Sequence, residues 1–350
     1  MKMRILRIKN GILDGEIIMP ASKSHTIRGI LIATFAQGLS KLSNALISED
    51  TIACIRVARA LGAHIRVEMR GIYIEGRPLS GKMERKIVDV GNSGTSLMFG
   101  MALSSLLKEK IIFTGDEQLK LRKLNALIVA LNQLGANVHS LVEDGFAPCM
   151  TLGGLKGGEI SLECETSQYL SALLLAAPLA PGDTFIKVGL LNEKPYVDMT
   201  LEWLNRHNIF YRINNMKIFH IKGRQQYKSF NFNVPGDFSS AAFFIVAACL
   251  SKKGLTLKNL NILDSQGDKE FIYLVERLGA RVEFIENGIQ IKSGNMKGDT
   301  IDLNNMPDAL PALAVLACFM EGHTRIVNVE HARYKETDRI SVMCKELRKM

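Results

Sequence analysis

The chain has 350 residues, of which 47% are hydrophobic and 23% charged, with a formal net charge of +9. That length suits two domains better than one, and the composition excludes a disordered chain. Lysines and arginines are scattered rather than clustered, and aromatics make up only 7%, so the basic excess points to small anionic molecules and not to nucleic acid.

Residues 1–15 carry basic side chains without an uninterrupted apolar run and do not read as a signal peptide. The first apolar helix is expected in "SKSHTIRGILIA", and "ALGAHIRVEMRGIYIEG" reads as a helix end followed by a hairpin. The pattern then returns. Further apolar helices open at "NSGTSLMFGMAL", "TSQYLSALLLAA", "DFSSAAFFIVAA" and "PDALPALAVLAC". Further hairpins follow the anchors Leu134, His207 and Leu278, as the first follows Leu61. Both series step by about 72 residues, the signature of a repeated supersecondary unit. The unit reads βαββαβ, with one helix apolar on nearly every side and a second that is amphipathic. "LRKLNALIVALNQLGA" exemplifies the second, with Leu121, Leu124, Leu127, Ile128, Leu131 and Leu134 in one stripe and Gly135 as C-cap. Residues 341–350 read as one more helix. The next anchor falls due near residue 350, so the chain is expected to stop within its fifth unit, lacking the rest of it and any sixth.

The apolar runs "AAFFIVAACL" and "ALPALAVLACFM" are too short to span a membrane. Six cysteines without a CxxC read as free thiols of a cytoplasmic protein. Seven histidines without HExxH or HxxxH spacing predict no metal site. "GGLKGGEI" lacks the spacing of a nucleotide loop and reads as a turn.

The helix starts carry the chemistry. A helix N-terminus gathers unpaired N–H groups and a partial positive charge, so several aimed at one cleft would hold anions. Near these starts lie Lys23, Arg28, Arg122, Lys335 and Arg339, with Ser24, Asn92, Thr95, Thr166, Ser167 and Gln168. Taken singly, Ser24, Thr95 and Ser167 read as N-caps, Arg122 as a helix-surface arginine, and Lys335 and Arg339 as part of a salt-bridged helix start with Glu336 and Asp338.

Taken together, six segments in order resemble the 5-enolpyruvylshikimate-3-phosphate synthase family: "ASKSHTIRG", "GNSGTS", "TSQYLSALLLAAPLA", "KPYVDMTL", "MPDALPALAV" and "RYKETDRI". The resemblance covers the whole chain. It implies an α/β (α+β) fold, a two-domain inside-out barrel of βαββαβ units whose last domain is incomplete. Residues 1–21 with 231–350 would form the C-terminal-type domain and 22–230 the N-terminal-type domain, with the ligands between them. It implies transfer of the enolpyruvyl group of phosphoenolpyruvate to the 5-hydroxyl of shikimate 3-phosphate, by addition and then elimination, without metal or organic cofactor.

By position, the resemblance gives Lys23, Ser24, Arg28, Thr166, Ser167, Gln168, Asp308 and Lys335 to shikimate 3-phosphate. It gives Lys23, Gly94, Arg122, Gln168 and Arg339 to phosphoenolpyruvate. Asp308 is the implied base, Glu336 the proton donor, and Lys23 stands between the ligands. The partners implied are these small anions, with no nucleic acid and no membrane, for a monomer. Three positions depart from the family pattern: Met98 replaces an arginine, Lys123 a proline, and Glu193 a serine that touches the substrate phosphate. A carboxylate at 193 repels phosphate unless Lys194 turns in. An Asp-His-Arg segment and a later lysine of the family's final unit have no counterpart here. Two other readings follow: a catalytically impaired synthase product that at most binds shikimate 3-phosphate, and the sister transferase acting on UDP-N-acetylglucosamine. The second is disfavoured because Ser24 follows Lys23 and residues 115–122 hold no cysteine.

Overall fold

The computed structural model describes residue 7 and residues 11–76, 86–142 and 145–350. The portions 1–6 and 8–10 of the expected 1–21 segment lie outside the described residues. In chain order, β1 (Glu16–Ile18) precedes α1 (Lys23–Phe35), β2 (Ala36–Gln37), β3 (Leu39–Ser43), α2 (Glu49–Ala60), β4 (His64–Glu68) and β5 (Gly71–Glu75). Next come β6 (Lys86–Asp89), α3 (Gly94–Ser104), β7 (Ile111–Thr114), α4 (Asn125–Gln133), β8 (Val138–Ser140) and β9 (Cys149–Thr151). A third run holds β10 (Gly158–Cys164), α5 (Ser167–Ala176), β11 (Thr184–Leu191), α6 (Lys194–Arg206), β12 (Tyr211–Asn214) and β13 (Ile218–Ile221). After β14 (Tyr227–Lys228) and β15 (Asn231–Asn233) come α7 (Phe238–Cys249), β16 (Leu255–Lys258), α8 (Glu270–Arg277), β17 (Arg281–Ile285) and β18 (Gly288–Lys292). The chain ends with β19 (Thr300–Asp302), α9 (Leu310–Ala317), β20 (Arg325–Val327) and α10 (Arg339–Arg348).

Four sheets share one plan: β15-β3-β5-β4, β6-β7-β9-β8, β10-β11-β13-β12 and β1-β16-β18-β17. In each, the first two strands are parallel and the rest antiparallel. A parallel pair needs a crossover, which the apolar helix supplies, whereas the closing hairpin needs only a turn. The order within a unit is therefore β-α-β-α-β-β. This corrects the expected βαββαβ, because one strand, not two, separates the paired helices. β19 and β20 make a parallel pair of their own, and no sheet among the described residues closes into a barrel.

Two sheets borrow their first strand from far away. β15 pairs with β3, and β1 pairs with β16. The two cores are accordingly built by a chain that crosses twice. One core holds Ile27, Phe99, Leu131, Leu173 and Trp203, and the other Met19, Phe238, Ile245, Phe271 and Leu313. At the crossings Ala21 bridges Gly236, the Ser22 N–H donates to Pro235 O and the Asp237 N–H to Pro20 O, both at 2.8 Å.

The anchors end helices in one way. After Leu61, Leu134, His207 and Leu278 the next residue takes positive φ: Gly62 at 104°, Gly135 at 91°, Asn208 at 54° and Gly279 at 112°. Each time, two turn-closing hydrogen bonds follow, as in Gly62 N–H to Arg59 O and Ala63 N–H to Ala58 O. Asn is the usual stand-in for glycine in the left-handed region, so the third unit keeps the geometry without the Leu-Gly-Ala letters.

Three local expectations are corrected. The N-caps of α1, α3, α5 and α7 are Ser22, Ser93, Thr166 and Asp237. Ser24, Thr95 and Ser167 therefore sit within first turns, where their hydroxyls are not spent on capping. α4 begins at Asn125, not near Leu121, which is 78% exposed on a short 3-10 turn. Arg122 follows that turn in extended conformation (φ −80°, ψ 131°), so it is no helix-surface residue. α10 forms as expected but buries none of its residues. Among the described residues, no helix is long and apolar enough to cross a membrane.

Candidate active site

Eleven of the twelve residues that the resemblance gives to the ligands or the proton transfers line one cavity of about 310 Å³: Lys23, Ser24, Arg28, Gly94, Arg122, Ser167, Gln168, Asp308, Lys335, Glu336 and Arg339. The twelfth, Thr166, lines a small adjoining space with Met98, Lys123 and Gln168. The fold brings them together because α1, α3, α5 and α9 all present their N-terminal ends to the space between the two cores. Asp50, Asn92, Thr95, Phe99, Glu193 and Tyr196 complete the lining.

Arg28 is 2% exposed and, among the described residues, makes no hydrogen bond to a carboxylate. It donates to Thr200 Oγ1 (2.9 Å), Ser24 O (3.2 Å) and Tyr196 O (2.9 Å), and its guanidinium lies 5.3 Å from the centre of the Phe99 ring. Burial pushes its pKa down to about 10. Arg122 is similar. It donates to Asn92 Oδ1 at 2.6 Å, its buried Nε finds no partner among the described residues, and burial lowers its pKa. Gly94 permits that approach, since a Cβ there would stand 2.2 Å from Arg122 Nη1. One buried and one half-buried guanidinium with hydroxyl, carbonyl and amide partners are receptive to an incoming anion.

The second core brings a tighter arrangement. Arg339 donates Nη1 to Asp308 Oδ1 at 2.5 Å and forks onto Glu336 through Nε (2.9 Å) and Nη2 (3.0 Å). Burial alone would raise the Asp308 carboxyl, but Arg339, Lys335 and Lys23 hold it far below the usual range. Glu336 is also lowered: burial opposes, and Arg339 prevails. Tyr196 Oη points at both Asp268 (2.7 Å) and Asp308 (3.0 Å). Burial and the neighbouring Asp308 push Asp268 up to about 7.

The three departures resolve differently. Met98 is buried in α3 at 3% exposure, and Lys123 places its ammonium 4.9 Å from the centre of the Tyr334 ring. Lys194 does not turn in. It pairs with Asp198 at 2.7 Å on the surface, and Lys335 instead contacts Glu193. Sequence reasoning did not single out Asp50, Phe99, Tyr196, Asp268 or His331. Tyr196 lay inside "KPYVDMTL" and could have been drawn from that segment; the others carry no local signal. Among the described residues, no group of three or more His, Cys, Asp or Glu side chains could hold a metal ion.

Five cations and four carboxylates around helix N-termini define an α/β enzyme site for small phosphorylated acids. The model of the EPSP synthase (3-phosphoshikimate 1-carboxyvinyltransferase) family matches residues 8–350. The 3-phosphoshikimate 1-carboxyvinyltransferase of Ruminiclostridium cellulolyticum is 44% identical over 345 residues, covering 99% of this chain and 82% of that one. That of Chlamydia trachomatis serovar D is 37% identical over 347 residues, covering 99% and 78%. The solved EPSP synthase of Acinetobacter baumannii superposes with a TM-score of 0.79 at 27% identity, covering 98% of this chain and 79% of that one. The chain belongs to the EPSP synthase family, the transferases that move the enolpyruvyl group of phosphoenolpyruvate onto shikimate 3-phosphate in the shikimate pathway.

Proposed function

We propose that the cleft performs this transfer with the following division of labour. Thr166, Ser167, Gln168, Lys335, Arg28 and Ser24 hold shikimate 3-phosphate, while Arg122, Gly94, Gln168 and Arg339 hold phosphoenolpyruvate. Lys23 lies between the two. Asp308 accepts the proton of the 5-hydroxyl as its oxygen bonds to C2 of the enolpyruvyl group, and Glu336 gives a proton to C3. The tetrahedral intermediate then loses phosphate, C3 gives up a proton, and the vinyl group re-forms on the acceptor.

The observation that carries this reading is the convergence of six segments, from residue 23 to residue 339, on one cavity. The electrostatics add a reason for ordered chemistry. In the ligand-free cleft Arg339 keeps both Asp308 and Glu336 ionised. A carboxylate or phosphate oxygen arriving at Arg339 competes with Glu336 for the fork, and the released carboxyl regains the proton its role demands.

The cleft lies between the two cores, and we place the domain division at the paired crossings near residues 21 and 236. β15 then belongs to the first core by its pairing with β3. Six free cysteines support work in the reducing cytoplasm, and we take the chain to act as a monomer. The test is phosphate release from phosphoenolpyruvate by this chain, with and without shikimate 3-phosphate. Release that requires both supports the reading, and a folded chain that releases none refutes it. Asp308→Asn is expected to lower kcat by about a hundredfold or more while the Kd of shikimate 3-phosphate stays near its original value; undiminished turnover removes Asp308 from the mechanism.

A further inference from the structure

The N-terminus of α5 is already occupied by an anion that belongs to the protein. Glu193 Oε2 accepts the Ser167 N–H (3.2 Å), the Ser167 hydroxyl (2.8 Å) and the Thr166 hydroxyl (3.1 Å). The Lys335 ammonium closes on Oε1. Glu193 is 2% exposed and reaches the cup from a left-handed backbone, φ 58°, that a glutamate rarely adopts. His331, itself 5% exposed, turns Nε2 toward the same carboxylate at 3.8 Å and finds no hydrogen-bond partner for it among the described residues. A helix N–H, two hydroxyls, an ammonium and an idle imidazole nitrogen make a donor set with more capacity than one carboxylate fills. Three phosphate oxygens would use it fully.

We propose that Glu193 is a built-in occupant of this phosphate cup, and that the acceptor's phosphate must displace it to bind. Glu193 is thereby a specificity-determining residue: it sets the affinity for phosphorylated acceptors and leaves the phosphoenolpyruvate side of the cleft untouched. The inference rests on the assignment of Thr166, Ser167 and Lys335 to the acceptor made above.

Two anions cannot share the cup. Burial alone would raise the Glu193 carboxyl, yet Lys335, Ser167 and His331 hold it below its ordinary value, so it stays ionised at neutral pH. A phosphate entering beside it meets like charge where water screens little. The carboxylate must swing out, surrendering the donors it now uses, and every phosphorylated acceptor bears that cost. Lys194 offers no relief, because Asp198 already holds it. The partner set also explains why the cup does not collapse without ligand: the carboxylate satisfies donors that burial would otherwise leave unpaired.

The experiment compares the unaltered chain with Glu193→Gln, which keeps the volume, and Glu193→Ser, which empties the cup. Kd is measured for shikimate 3-phosphate and for inorganic phosphate, and kcat and KM for both substrates. Both variants are expected to bind shikimate 3-phosphate and inorganic phosphate about tenfold or more tightly, and the KM of shikimate 3-phosphate is expected to fall more than the KM of phosphoenolpyruvate. Folded variants whose acceptor Kd is unchanged or weaker overturn the displacement and leave the acceptor assignment standing. Failure of the unaltered chain and of both variants to bind shikimate 3-phosphate overturns the acceptor assignment and this inference with it.

Discussion

Arg339 holds two carboxylates that the proposed reaction needs in opposite protonation states. Arg339→Lys keeps the charge and loses the fork, so one ammonium must choose between Asp308 and Glu336. kcat/KM for phosphoenolpyruvate is expected to fall on the order of a hundredfold, with the Kd of shikimate 3-phosphate little changed. The pH profile supplies an independent check. Arg339 is foremost among the groups that depress Asp308, so Arg339→Gln, which removes the charge, raises that pKa and moves the acid limb of kcat/KM to higher pH; an unmoved limb means Asp308 is not the group titrating. Asp268 behaves oppositely. Its folded pKa, about 7, lies above that of the unfolded chain, so its contribution to stability is full below pH ~4 and is lost as pH rises toward 7. Asp268→Asn stays neutral throughout. Its Tm relative to the unaltered chain is expected to improve from pH 4 to pH 7 and then level off; a pH-independent difference contradicts the raised pKa.

The repeated helix ends give a test of local geometry. A Cβ on Gly279 would lie 2.3 Å from Asn295 O, at φ 112°. Gly279→Ala is expected to lower unfolding free energy by at least roughly 1–2 kcal/mol from the left-handed backbone, with the clash against Asn295 O adding to it, read as a shift in urea midpoint. Asn208→Gly, at the equivalent position, should change it by only a few tenths, and a large loss there would mean the asparagine side chain matters more than its φ. These ends were legible in the sequence because their cause is local: a left-handed residue and a buried anchor recur with the unit. Several motif residues of the cleft were legible for the same reason, Lys23, Ser24, Gly94, Ser167 and Gln168 lying on helix starts. Strand pairing was less so. β1 and β15 are three residues each, and their partners lie some 190 to 240 residues away, beyond any periodicity. The backbone setting of Arg122 was hidden by its neighbours, since the leucine spacing around it mimics a helix that begins only at Asn125. Asp268 and His331 were invisible, because their importance lies in burial against charges that only the fold brings near.

The two cores meet through polar groups rather than a common apolar layer. Tyr196 reaches Asp268 and Asp308, Lys335 reaches Glu193, Asn304 donates to Asn192 Oδ1 at 2.9 Å, and His25 Nε2 bonds Asp264 at 3.1 Å. Such a junction is what separable domains show, and the cations of the cleft are shared across it: Lys23, Arg28 and Arg122 on one side, Lys335 and Arg339 on the other. An anion bound between them ties the cores together. The single tryptophan, Trp203, reports on this directly. It is buried in the first core and donates to His25 Nδ1 at 3.0 Å, while the other ring nitrogen of His25 faces Asp264 of the second. Without ligand, Trp203 fluorescence is expected to follow the first core alone, and far-ultraviolet circular dichroism both cores, so the two urea transitions should not coincide. Shikimate 3-phosphate at a hundred times its Kd adds about 2.7 kcal/mol to whatever state holds both halves of the site, and the transitions should move upward and merge. Coincident transitions in the ligand-free chain would mean that the polar junction already couples the cores and that the cleft does not depend on its ligand for closure.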